Sequence, residues 1–376
     1  MLTWVEIDTN ALRRNIDALR SVLPRNTGMM VVVKGNAYGH GLEVVAEAAA
    51  DHADWLGVNT LDEAITIRRL GIAKPVAILG HTELERLGAV VANDFRQVVY
   101  REDVAAGLSR CAQEQKRPVY IHLKIETGTH RQGIPMEELS GFLQQIGPLP
   151  NVEIEGVYTH LANIEDTLEP SFAQLQLAKF REAIATLNKT GIRPAYTHAA
   201  ATAGALLYPE AGFTLVRVGI GAYGIWPSRE TQIAARERGR RVSLTPALTW
   251  KTRVAQIKTI EAGSHVGYGL TFQATRRMKI AILPVGYFDG YDRRLSNCGR
   301  ALVGGRVAAV IGRVAMNMTA LDITDTDVGV DDEVVLIGRQ GNLEIRVEEL
   351  AEKIGTISYE VVSRINPAIP RIEAAS

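Results

Sequence analysis

The stretch "GMMVVVKGNAYGHGLEVVAEAAADHADWLGV", Gly28 to Val58, contains one full repeat of the pattern that sets the fold. A β-branched run, a glycine-rich loop, a segment with helical spacing and a second apolar run follow one another. That succession marks a parallel βαβ unit. It also holds an oddity: Lys34 stands directly after "VVV", where an ammonium group is expensive to bury. Such a lysine either reaches water along its apolar stem or has a task at the strand end.

Further out, the same alternation continues from about residue 28 to residue 220. The apolar runs are "GMMVVV", "ADWLGV", "PVAILG", "RQVVY", "VYIHLKI", "IEGVYTH", "AYTHA" and "TLVRVGIG". Helical spacing appears between them, as in "LDEAITIRRLG" and in "PSFAQLQLAKFREAIATLNKTG". The latter places Phe172, Leu175, Leu177, Phe180, Ile184 and Leu187 close to a 3.6-residue period. Eight such units predict a closed (β/α)8 barrel of the TIM type rather than an open sheet. After about residue 235 the texture changes. "RERGRRVSLTPALTW" leads into β-rich segments separated by Gly, Asn and Asp turns, with one late helix in "RVEELAEKIG". The expected organisation is a barrel over residues 1–235 and a mainly β domain over residues 236–376, with the first few residues available to pair with the β domain.

Composition narrows the function classes. The 376 residues are 46% hydrophobic and 22% charged, and the 42 basic side chains balance 42 acidic ones. Zero net charge gives no electrostatic basis for binding nucleic acid or an anionic membrane. No apolar run approaches the roughly 20 residues of a membrane span. "MLTWVEIDTNALRRNI" lacks the basic flank and apolar core of a secretory signal. Cys111 and Cys298 stand far apart with no CxxC or Cys/His cluster, so neither a disulfide framework nor a metal site is expected. The expected compartment is the reducing cytoplasm.

In such barrels the chemistry gathers at the C-terminal ends of the strands. Lys34 ends the first apolar run, Arg131 follows the fifth, His160 ends the sixth and His198 the seventh. Arg217, Gly219 and Ile220 lie in and after the eighth. Five basic side chains at one rim form a constellation that a single histidine would not. No GxxxxGK[ST] loop and no GxGxxG turn is present, which argues against nucleotide sites. Barrels commonly bind phosphate at the loops after strands seven and eight, where this chain offers the Thr202 hydroxyl and the Gly219–Ile220 backbone. A lysine facing a phosphate site across a barrel mouth describes an enzyme of pyridoxal 5'-phosphate (PLP).

"VVVKGNAYGHG" closely resembles the PLP-lysine motif of bacterial alanine racemases. The likeness covers essentially the whole chain, through "KIETGTHRQGI", "VYTHLAN", "VRVGIGAYGIWPS", "VGYGLTF", "VGYFDGYDRRLSN", "GRVAMNM" and "TISYEVVSRI". It implies a homodimer of barrel-plus-β-domain chains that interconverts L- and D-alanine for peptidoglycan. It further implies that Lys34 carries PLP covalently and that Tyr38, Thr202, Gly219, Ile220 and Tyr359 hold the phosphate. Arg217 would face the pyridine nitrogen with His198 behind it. Tyr268 would be the second base with His160 beside it, and Arg131 and the Met316 backbone would bind the substrate carboxylate. Lys124 matches a position carbamylated in many members. Departures fall at Thr129-His130, Ala201, Val218 and Asn317, the last standing where an acid is usual. Barrel-type PLP decarboxylases place an acid where Arg217 stands. Barrel-only PLP-binding proteins lack the β domain.

Overall fold

The first strand, β1 (Thr3–Ile7), stands apart from the eight that follow: β2 (Gly28–Val32), β3 (Trp55–Val58), β4 (Val76–Ile78), β5 (Arg96–Val99), β6 (Val119–Lys124), β7 (Val152–Tyr158), β8 (Tyr196–His198) and β9 (Leu215–Val218). These eight form one parallel sheet in the order β8-β7-β6-β5-β4-β3-β2-β9. The computed structural model describes residues 1–374, so the last two residues of the expected second domain lie outside the described residues. Between β8 and β9 the regular ladder gives way to separate bonds, Thr214 N–H to Thr197 O at 3.1 Å and Arg217 N–H to Ala200 O at 3.0 Å. The sheet is therefore a nearly closed barrel. Met30, Trp55, Ala77 and Leu215 pack together as a buried cluster, the layered side-chain filling that makes such a barrel a core rather than a pore.

The chain forms two compact units, and they divide at Thr245/Pro246 rather than at 235/236. One comprises Asn10–Gly35 and Val45–Thr245; the other comprises Met1–Thr9, Asn36–Val44 and Pro246 onward. The helix Arg229–Glu237 belongs to the barrel unit. In that unit the helix Leu61–Arg69 begins with a capping box. Thr60 Oγ1 accepts from Glu63 N–H at 3.3 Å, and the Glu63 carboxylate accepts from Thr60 N–H at 3.2 Å.

The second unit is built on β10 (Leu248–Arg253), β11 (Gln256–Ile260), β12 (His265–Val266), β13 (Phe272–Gln273), β14 (Met278–Leu283), β15 (Arg300–Val303), β16 (Arg306–Ile311), β17 (Thr319–Asp322), β18 (Glu333–Gln340), β19 (Leu343–Ile345) and β20 (Arg371–Glu373). Its main sheet runs β11-β14-β17-β16-β15-β18-β10-β1-β20, with β19 on β18. β1 pairs antiparallel with β10, Thr3 opposite Thr252 through Ile7 opposite Leu248. Two short helices, Val347–Ile354 and Ser358–Ser363, follow β19.

Candidate active site

In the barrel unit the rim residues come from separate strand ends. Lys34 follows β2 by two residues and is half-buried. Burial, and then the cations Arg131 and Arg217, hold its amine below the ordinary lysine range. The next amide, Gly35 N–H, donates to Glu63 Oε1 at 2.6 Å, so the capping glutamate also fixes the lysine's backbone. Lys124 closes β6 and is only 4% exposed. Its Nζ donates to Gln132 Oε1 at 2.9 Å. Burial, Arg131 and Arg217 lower its pKa to about 8.

Arg217 on β9 is 5% exposed and set among acceptors. Its Nη1 lies 2.7 Å from His198 Nδ1. Its Nη2 donates to Thr159 O at 2.9 Å and Ala199 O at 3.0 Å, and lies 3.3 Å from His160 Nδ1. Beneath it lies the Tyr158 ring, 5.0 Å from the guanidinium carbon. Both histidines stay neutral. Burial, then Arg217, brings His160 down to about 3, and the same causes in the same order hold His198 well below its usual value. Arg131 is exposed, in a loop whose backbone is gathered by Glu126, which accepts from Gly128 N–H at 2.5 Å and Arg131 N–H at 3.3 Å. Buried Gln176 ties that loop to the next strand end, donating to Thr127 Oγ1 and to His160 O, both at 3.2 Å. Thr202 is buried at the head of the helix Thr202–Leu207, and its Oγ1 accepts from Gly219 N–H at 3.1 Å. Ile220 opens the following 3-10 turn. A Cβ on Gly221 would lie 2.5 Å from Thr202 Cγ2, so that turn packs tightly on the hydroxyl residue. Gln132, Gln176, Tyr158 and Glu63 were not anticipated from sequence. Glu63 alone had a local signal, the T-x-x-E of its capping box.

The β unit carries four of the expected residues. Tyr38 stands in the segment Asn36–Val44, with its ring 6.1 Å from that of Tyr359 on the helix Ser358–Ser363. Segment and helix are joined closely: a Cβ on Gly39 would lie 1.9 Å from Val362 O, and Arg371 Nε donates to Gly39 O at 3.0 Å. Tyr268 begins a turn between Gly267 (φ 75°) and Gly269 (φ 71°) and is 74% exposed. Met316 is 53% exposed, and its carbonyl accepts from Phe288 N–H at 3.0 Å.

Residues 7–227 match the family described as alanine racemase, N-terminal domain, and residues 247–373 match the alanine racemase C-terminal domain. An alanine racemase of Symbiobacterium thermophilum is 43% identical over 373 residues, 98% of this chain and 96% of that one. The crystal structure of alanine racemase from Bacillus anthracis superposes with a TM-score of 0.92 at 34% identity, covering 99% of this chain and 95% of that chain. A histidine racemase from Leuconostoc mesenteroides has a TM-score of 0.89 at 26% identity, covering 100% and 98%. Both domains and the full-length relatives agree, and the chain belongs to the alanine racemase family.

Proposed function

We propose that the protein is a PLP-dependent racemase interconverting L- and D-alanine, with Lys34 and Tyr268 as its two acid–base groups. The observation that carries this reading is the placement of Lys34, half-buried two residues beyond a barrel strand, in a chain whose two domains both match the alanine racemase family. The family works with PLP, and the residues fit that group. The buried Thr202 hydroxyl, whose oxygen is held by the Gly219 amide, and the Ile220 amide suit a phosphate, with Gly219 shaping the turn and Tyr38 and Tyr359 as further donors. Arg217 suits the pyridine nitrogen, because His198 and backbone carbonyls hold its guanidinium in one orientation at the rim.

Bound PLP supplies an electron sink that makes the α-proton of an amino acid removable. Lys34 anchors it and moves the proton on one face; Tyr268 moves it on the other, with His160 beside it. Free amine and phenol pKa values are about 10.4 and 10, so a lowered Lys34 suits a base working near neutral pH. Arg217 keeps its own proton, so beside the ring nitrogen of bound PLP it would donate a hydrogen bond without giving up that proton and would leave electron withdrawal weak. That favours return of the proton over transamination. Arg131 and the Met316 amide bind the substrate carboxylate. Lys124 carries a carbamate that pairs with Arg131.

Tyr268, Leu270, Phe288, Met316, Met318 and Ile357 are large apolar or aromatic side chains exposed on the β unit. Such a surface suits a second copy of the chain, with Tyr268 and Met316 serving the partner's site. Among the described residues no helix is long and apolar enough to cross a membrane. The reading places the enzyme in the cytoplasm, supplying D-alanine for peptidoglycan. In this reading Tyr268, Tyr287 and Tyr359 crowd the entrance and admit little more than a methyl group, so alanine is the preferred substrate, with serine slower by the modest factor that size discrimination allows. The test is kcat/KM for L-alanine, L-serine and L-lysine, with Tyr268→Phe alongside. Alanine should lead, and the variant should keep PLP while losing about 10²–10⁴-fold in turnover. A lead for serine or lysine contradicts the substrate, and full activity in Tyr268→Phe contradicts the second base.

A further inference from the structure

A line of polar side chains, buried at Arg217, His198 and His122 and half-buried at Glu155 and Arg96, runs away from the guanidinium, and the reading above leaves its far half without a task. His198 Nε2 lies 3.0 Å from His122 Nδ1, and His122 Nε2 lies 3.4 Å from Glu155 Oε2. That same carboxylate oxygen accepts from Arg96 Nε at 3.0 Å. Both imidazoles are buried. His122 precedes Lys124 by two residues on β6, Glu155 lies within β7, and Arg96 opens β5. Gly156, the register partner of His122, makes room for the ring: a Cβ there would lie 2.6 Å from it.

The protons on this line have one consistent arrangement. A guanidinium only donates, so His198 Nδ1, 2.7 Å from Arg217 Nη1, must be the lone-pair nitrogen. His198 then carries its proton on Nε2 and donates it to His122 Nδ1. His122 is left with its proton on Nε2, directed at Glu155. An ionised carboxylate only accepts, and the ion pair with Arg96 favours ionisation. The two ends therefore demand the same direction. Reversal would set an imidazole N–H against the guanidinium N–H. Burial is the first cause keeping both histidines below their usual pKa, which leaves one proton on each ring.

We propose that Glu155, His122 and Arg96 are positioning residues for Arg217: they fix the tautomer of His198, so that Arg217 is held by a lone pair. The tautomer assignment stands on this geometry and on the burial of both rings, and does not depend on the racemase reading. Its effect on turnover rests on the racemase reading, in which Arg217 meets the cofactor ring.

The test uses holoenzyme with 15N-labelled histidine, reading which ring nitrogen of His122 and His198 carries the proton. Kinetics of alanine isomerisation are measured on the same samples. The parent should show Nε2–H at both histidines across neutral pH. In Glu155→Gln, Arg96 claims the amide oxygen and the NH2 faces His122, so the single tautomer at His198 should be lost. Turnover should fall on the order of 10–100-fold, as when partners behind a ligating imidazole are removed, with KM nearly unchanged. Glu155→Asp keeps a carboxylate and should restore the tautomer and part of kcat. A proton on His198 Nδ1 in the parent overturns the assignment with no variant needed. Parent-like tautomers or parent-like kcat in Glu155→Gln overturn the positioning role. A parent without alanine turnover contradicts the racemase reading, while the histidine signals still decide the tautomer.

Discussion

Lys124 shows how one side chain's surroundings can select its chemistry. It is nearly sealed from solvent and faces two cations, and its pKa falls to about 8 from 10.5. A lysine lowered on folding binds its proton less tightly when folded than when unfolded. The unmodified chain therefore gains stability from this group as pH rises from about 8 to 10.5. Below that window the folded state must hold a proton at a buried, positively crowded site. In the proposed reading the neutral amine adds to carbon dioxide and releases one proton to solvent, and the resulting carbamate reverses the local charge beside Arg131. With 13C-bicarbonate, a carbamate carbon signal should appear, grow as the pH rises through about 8, and vanish in Lys124→Met. A signal equally strong in Lys124→Met, or none at any pH, contradicts this role.

Among the elements, the turn after β2 is costly to form. Gly35, Asn36, Ala37 and Tyr38 have φ of 65°, 53°, 52° and 53°, a left-handed turn that disfavours each L-residue by about 1–2 kcal/mol. Local bonds hold it: Asn36 Oδ1 accepts from Leu42 N–H at 2.9 Å, and Asn36 O from Gly41 N–H at 2.9 Å. Backbone held this far from its preferred region is common where a catalytic or ligand-binding group must be aimed. Gly39→Ala would add a Cβ at φ 82° and 1.9 Å from Val362 O. The variant should melt at lower temperature and lose the absorbance of bound PLP; an unchanged Tm with full PLP content would show that the turn tolerates a side chain.

The alternation of β-branched runs and helical spacing made the barrel strands legible, and strand parity could have revealed more. His122 and Lys124 are two apart on β6, so one inward-facing residue implies the other. The left-handed turn was hidden, because Ala37 and Tyr38 carry no local preference for it. The helix Ser171–Lys189 was read from its apolar spacing, but its buried face is Ala173, Gln176, Leu177, Phe180, Ala183 and Leu187, with Phe172 and Leu175 exposed. A buried glutamine that clamps two loops is invisible to an apolar period. Tyr359 rides on a helix of six residues, too short for any period to register.

At the scale of the whole molecule, the unit around the β domain gathers three separated segments. No local pattern announces the share of Asn36–Val44 in that grouping, since it depends on the segment meeting the helix Ser358–Ser363. The exposed Tyr268 and Met316 lead to a prediction about assembly. If each site combines Lys34 of one chain with Tyr268 of another, inactive Lys34→Ala and inactive Tyr268→Phe chains should restore activity when mixed, because one site of the mixed dimer receives neither change. Recovery absent after proven subunit exchange would place both bases in one chain.

The central claim is that Lys34 stands just beyond β2 in order to anchor the cofactor. Borohydride reduction of the purified protein with PLP, followed by peptide mapping, tests it most directly. The visible absorption band should disappear, and the pyridoxyl group should be found on the peptide containing Lys34. A pyridoxyl group on Lys124 or any other lysine, or none on the chain, would contradict the account.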